Sequence, residues 1–200
     1  RINNLLVHLV SENIDEGEII FHKKNLFKRS DKLPSELKKK YLFDLELFYE
    51  EFVSKLKKKH KFEMLSQPDY LSTYYPRLDS KKDSWIDWTL PPFELERFIN
   101  AFDDPFLGAK TKINNKVVNI KSVQLHGGET IPHKYMTGLI IRNDKKWLVV
   151  CSSGNSYLII EKVLNEKKKN IINEIKPGDR FYTPLKNLIY SKSKRTKYGK

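Results

Sequence analysis

With 200 residues, 39% of them hydrophobic and 12% aromatic, the chain has the composition of a folded protein holding one large domain or two small ones. Its formal charge of +13 calls for a polyanionic partner such as nucleic acid, a phosphorylated small molecule or an anionic surface, although the lysine runs at 38–40 and 57–59 read equally well as solvated faces. A lone cysteine, Cys151, excludes an internal disulfide and any multi-cysteine metal site, and no apolar run approaches the roughly 18 residues a membrane span needs.

Residues 4–10 and 18–27 read as two short strands rich in branched apolar side chains, joined by a turn at Asn13–Gly17. Two strands make no stable sheet alone, so this piece is expected to be the edge of something larger. Residues 35–60 read as a helix, because Leu37, Tyr41, Leu45, Phe48, Phe52 and Leu56 recur at steps of three and four and form one apolar stripe. Ser35 suits its N-cap, and mixed Lys and Glu suit the opposite face.

Residues 63–90 are irregular but too aromatic for a flexible linker, and are expected to form an ordered strap. Tyr74, Tyr75, Arg77, Trp85 and Trp88 combine flat rings with a cation, which suits stacking on a base and pairing with phosphate. Rings that pack two bodies together would have the same composition. A second helix starts at Pro91 or Pro92 and places Leu95, Phe98, Ile99 and Phe102 on one face. Asp103-Asp104-Pro105 ends it, since the residue before proline is disfavoured in helical conformation.

From Gly108 the pattern changes to strands at 116–125, 137–143, 146–152 and 157–164, spaced by turn signals such as Asn114-Asn115 and Ser153-Gly154-Asn155. That spacing predicts a small antiparallel barrel or half-barrel of the OB-like kind within residues 91–185. Residues 186–200 carry six Lys or Arg and no acid, and read as a basic tail. Cys151 lies in an apolar strand and reads as a buried, inert thiol. His126, Glu129 and His133 sit in a loop that fixes no tetrahedral geometry, so no metal is expected. The chain opens on Arg1 without an initiator Met, and its natural start is expected upstream. A cytoplasmic location with no membrane partner is the expectation.

Residues 84–111, Ser-Trp-Ile-Asp-Trp through Gly-Ala-Lys-Thr, resemble the junction between the catalytic and C-terminal domains of the formyltransferases that use 10-formyltetrahydrofolate. The matching elements are Ile86-Asp87-Trp88, Ala101-Phe102, Pro105-Phe106 and Gly108-Ala109. Asn100 stands where the family usually has Arg, and Leu107 where it often has Pro. The stretch from His8 to Ile20 is similar to the family segment His-x-Met-x-x-x-x-Asp-x-Gly-x-Ile, with Asp15 and Gly17 at the matching positions.

The resemblance implies an α/β fold: the end of a Rossmann-like formyltransferase catalytic domain over residues 1–62, the strap at 63–90, then the helix and small barrel. It implies Asp15 as the aspartate of a catalytic Asn-His-Asp set, and nothing like the family's Asn-x-His segment is present here. His8 is not that histidine and reads as structural. It further implies 10-formyltetrahydrofolate as formyl donor, no metal, and the amine of a nucleotide-linked amino sugar as acceptor, with Tyr74, Arg77 and Trp88 as candidate substrate contacts. Initiator methionyl-tRNA as acceptor, or a non-catalytic basic binding module, are the alternatives. The sequence leaves a homodimer open.

Overall fold

The structure, a computed structural model, describes residues 1–193 apart from 13, 14, 74, 76, 77, 129 and 155. The chain divides into two compact units: residues 1–31 with 35–75, and residues 32–34 with 76–200.

In the first unit, β1 (Ile2–His8) and β2 (Ile19–Leu26) pair antiparallel from Ile2↔Leu26 to His8↔Ile19, with a register irregularity between Val7 and His8. The 24-residue α1 (Pro34–Lys57) packs on this hairpin through rings. Phe21 stacks on Phe48 at 4.8 Å and on Phe52 at 5.7 Å. A polar tie crosses the same interface: Asn3 Nδ2 donates to Asp44 at 3.3 Å, and Lys40 pairs with that carboxylate one helical turn away. Burial would raise the Asp44 carboxyl, but hydrogen bonds from Lys40 and Asn3 outweigh it and hold the group below the usual carboxylate range.

The apolar stripe expected on α1 is only partly the buried one. Phe48 is buried and Phe52 half-buried, but Tyr41, Leu45 and Leu56 are exposed, as are Leu42, Phe43, Leu47 and Tyr49. The helix is apolar around most of its circumference, so periodicity alone did not select the face that meets β1 and β2.

The second unit holds α2 (Pro92–Ala101), a five-stranded antiparallel sheet and α3 (Leu185–Ser193). The strands are β3 (Ala109–Ile113), β4 (Lys116–Gly127), β5 (Ile140–Asn143), β6 (Leu148–Cys151) and β7 (Ser156–Leu164), in the order β3-β4-β7-β6-β5. Alternating inward positions supply the core: Val118, Ile120, Leu158, Ile160, Leu148 and Val150 are fully buried under Leu95 and Ile99 of α2.

The barrel expected from the strand spacing is not found as a closed barrel. The sheet is open, and residues 178–182 span its two outer strands through isolated bridges, Leu139↔Arg180 on one side and Lys112↔Tyr182 on the other. Gly138 is required there, because a Cβ at its φ of +81° would lie 2.2 Å from the Phe181 carbonyl oxygen. The start of the basic tail is α3, a helix that composition alone did not indicate. Among the described residues no helix is long and apolar enough to cross a membrane.

Candidate functional site

Asp15 projects from the tight connection between β1 and β2. It adopts a left-handed φ of 60°, a conformation that Asp tolerates better than most residues. Three contacts hold the turn around it. Gln67 Nε2 donates to the carbonyl oxygens of Asp15 at 3.0 Å and Gly17 at 2.6 Å. Leu9 N–H donates to the Glu18 carbonyl at 3.0 Å, closing the loop at its base. Gly17 permits that closure, since a Cβ there would lie 1.7 Å from the Leu9 carbonyl oxygen. Gln67 reaches the turn because Leu65 returns to β2 and exchanges two 2.9 Å backbone bonds with Ile19.

The Asp15 side chain is 83% exposed, and its Oδ1 lies 3.5 Å from His8 Nε2. The other ring nitrogen of His8 is 2.9 Å from the Leu9 carbonyl, which only accepts, so Nδ1 carries a proton. His8 can therefore donate toward Asp15 only as the imidazolium. Read from the sequence as structural, His8 is in contact with the candidate carboxylate. The register irregularity that follows Val7 breaks the strand's simple alternation at this point.

Trp88 belongs to the second unit and is buried. Its indole Nε1 donates to Thr111 Oγ1 at 2.9 Å, and that hydroxyl donates on to the Tyr182 carbonyl at 3.0 Å. Its ring is stacked on Phe181 at 5.7 Å with 1° between planes. Tyr74 and Arg77 lie outside the described residues. Tyr75 is exposed, and Trp85 runs beside β3, pairing with Lys110.

Several other residues of the 84–111 stretch build the second unit's interior, whereas Phe93, Phe106 and Leu107 are exposed. Ile86 and Ala109 are fully buried. Asp87 is capped by the Thr89 amide and hydroxyl and paired with Lys192 at 3.2 Å. Asn100 donates to the Val123 carbonyl at 3.3 Å. Asp103 accepts the Ser122 amide at 2.6 Å, where β4 turns through a φ of +55°. Glu96, also buried, accepts from Lys32 at 2.8 Å and from the Leu125 amide at 3.0 Å. Each of these polar groups is satisfied by a specific partner.

Among the described residues no three His, Cys, Asp or Glu cluster as metal ligands; His133 instead accepts from the Tyr135 amide at 3.2 Å, and Glu129 lies outside the described residues. Burial raises the Cys151 thiol above its ordinary value, against a smaller opposing effect of Arg180. Arg180 and Phe181, which shape the surroundings of Trp88, drew no attention in the sequence. Long-range contacts give them their place: Arg180 bridges Leu139, and the Phe181 amide donates to the Gly138 carbonyl at 2.9 Å.

Residues 80–178 match the family of formyl transferase C-terminal domains. A methionyl-tRNA formyltransferase from Coprothermobacter proteolyticus is 30% identical over 122 residues, which is 60% of this chain and 38% of that protein. Among solved structures, a variant of HypX from Aquifex aeolicus superposes with a TM-score of 0.59 at 16% identity, covering 86% of this chain and 30% of the other. An N-formyltransferase from Helicobacter canadensis, in complex with folinic acid and dTDP-3-aminofucose, gives 0.57 at 18% identity, covering 80% and 55%. The chain spans well under half the length of the curated relatives it matches.

Proposed function

We propose that this chain is the C-terminal portion of a formyltransferase, and that the protein carrying it moves a formyl group from 10-formyltetrahydrofolate to the amine of a nucleotide-linked amino sugar. The observation that carries the reading is the Asp15 turn. A carboxylate at the position of the family's aspartate is presented on a connection that Gln67, Gly17 and Leu9 hold closed.

The donor supplies the electrophilic formyl carbon. The amine nitrogen forms a bond to it, the bond from that carbon to the donor nitrogen breaks, and one proton must leave the attacking amine and reach the departing nitrogen. From this chain, Asp15 would accept the amine's proton or stabilise a neighbouring imidazolium, and positioned proton transfer of this kind contributes roughly 10²–10⁴-fold to rate. The His8 imidazole lies beside that carboxylate, with Nε2 3.5 Å from Oδ1.

The sugar acceptor is supported by the Ser-Thr-Tyr-Tyr-Pro-Arg-Leu run at 72–78 before Ile86-Asp87-Trp88, and by fold likeness to an enzyme solved with a dTDP-linked amino sugar. Methionyl-tRNA is the second reading. It is favoured by the 30% identity to an enzyme of that name and by exposed cation–ring pairs such as Arg142 over Trp147 at 5.1 Å. Formyl transfer measured with a dTDP-amino sugar and with methionyl-tRNA, on the complete polypeptide that contains this chain, decides between them. Turnover of the sugar but not the tRNA is the expected result. The reverse would replace the acceptor, and no transfer to either would leave a binding module.

A further inference from the structure

The second unit contains a cleft of about 760 Å³, a volume within the range typical of small-molecule sites. Trp88, Pro91, Phe181 and Leu188 give it an apolar wall, and Lys134 and Arg180 line it from the opposite chemical side. Arg180 Nη1 donates to the Tyr135 carbonyl at 2.8 Å, next in the chain to Lys134, which sets the two cations on one rim. The guanidinium also lies 5.1 Å from the centroid of the Tyr135 ring, which fixes its plane and leaves further N–H groups unused.

Charge balance within the cleft is uneven. Among the described residues the one carboxylate on its lining, Asp87, is already taken: Oδ1 accepts the Thr89 amide at 3.1 Å and hydroxyl at 2.6 Å, and Oδ2 faces Lys192 at 3.2 Å. Among the described residues neither Lys134 nor Arg180 has a carboxylate within salt-bridge distance. Two uncompensated cations beside a partly dry wall favour an anion there more strongly than the same charges on an open surface would.

We propose that this cleft binds a phosphate-bearing small molecule, with the phosphate taken by Lys134 and Arg180 and the apolar body lying against Trp88, Pro91, Phe181 and Leu188. A planar fork and a point charge together suit a phosphate, whose oxygens accept from several directions. Trp88 and Phe181 turn one face of each ring toward the other, and Pro91 and Leu188 add aliphatic carbons to the wall. A half-open cleft of this size, with two cations on its lining, fits a small ligand better than the extended groove a nucleic-acid backbone requires. The inference does not rest on Asp15, because the described residues that line the cleft all belong to the second unit.

Titration calorimetry on the full chain tests it, with dTDP, thymidine and inorganic phosphate as probes and a short RNA as competitor. The expected result is saturable binding of one dTDP, measurable binding of phosphate, and thymidine at least tenfold weaker than dTDP. Lys134→Gln, at an exposed position that leaves the fold intact, weakens dTDP by about tenfold, the scale of a lost charged hydrogen bond. Arg180→Lys, which keeps the charge, loses less than Arg180→Gln. Absence of saturable dTDP binding overturns the proposal, as does equal binding by the Lys134→Gln protein or by thymidine. RNA binding that dTDP does not displace, with no dTDP site, overturns it in favour of a nucleic-acid surface. Asp15→Asn leaves the dTDP titration unchanged, so a failure here and a failure of the formyl-transfer assay are separate results.

Discussion

In the second unit every strand of the sheet sends at least one side chain fully out of water, and α2 adds Leu95 and Ile99. In the first unit, among the described residues, the most buried large apolar side chains are Leu5 and Phe48, each 3% exposed. Leu42, Phe43, Leu47 and Tyr49 along α1, and Ile2, Leu6 and Leu26 on the hairpin, remain exposed. Both units draw on the same apolar vocabulary, but one closes a core on itself and the other has one covered face. The contrast also separates two kinds of motif. The 84–111 stretch places Ile86, Trp88, Leu95, Ile99 and Ala109 inside a core, whereas the Asp15 turn presents an exposed carboxylate, the group proposed above to serve the chemistry.

The sharpest way to break this contrast is Asp15→Asn, measured for the proposed formyl transfer in the complete polypeptide. A fall in kcat of about 10²–10⁴-fold with an unchanged melting temperature is expected, and near-normal turnover would remove Asp15 from the reaction. Next in size is the packing contrast itself. Leu95→Ala, at a fully buried position, is expected to cost about 2–5 kcal/mol in a denaturant titration. Leu47→Ala, at a position 47% exposed, should stay within about 0.5 kcal/mol. Equal costs would show that the two units do not differ as described.

Gly17→Ala forces a methyl group against the Leu9 carbonyl and is expected to destabilise by roughly 1–3 kcal/mol, read as faster amide exchange at Leu9 and Ile19. The smallest effect is a pH dependence shared by both units. Burial alone would raise Asp87, yet hydrogen bonds from Thr89 and Lys192 hold it below its usual value, as Lys40 and Asn3 hold Asp44. A carboxyl depressed by folding stabilises above its unfolded pKa, and that contribution disappears as pH falls through the folded value. The unmodified chain should therefore lose stability below about pH 4. Asp87→Asn, compared between pH 6 and pH 3, should show a shallower fall, and an identical slope would discount the carboxylate.

The two-strand start, α1, α2 and the antiparallel strands were readable in the sequence because each rests on local periodicity and turn chemistry: alternation in β4 and β7, the Pro91-Pro92 start of α2, the Asn114-Asn115 turn. Family likeness added Asp15 and Gly17, and the fold explains Gly17 by the close approach of Leu9. Several things depended on contacts far apart in the chain. These include which face of α1 is covered, the open sheet bridged by residues 178–182, the contact between His8 and Asp15, and the reach of Gln67 to the turn. Trp88 was singled out for its flat ring, but its neighbours Arg180 and Phe181 meet it only after more than ninety intervening residues have folded. Local rules write themselves into neighbouring residues, whereas a cleft or an ion pair is a property of distant segments brought together, and only the tertiary structure decides it.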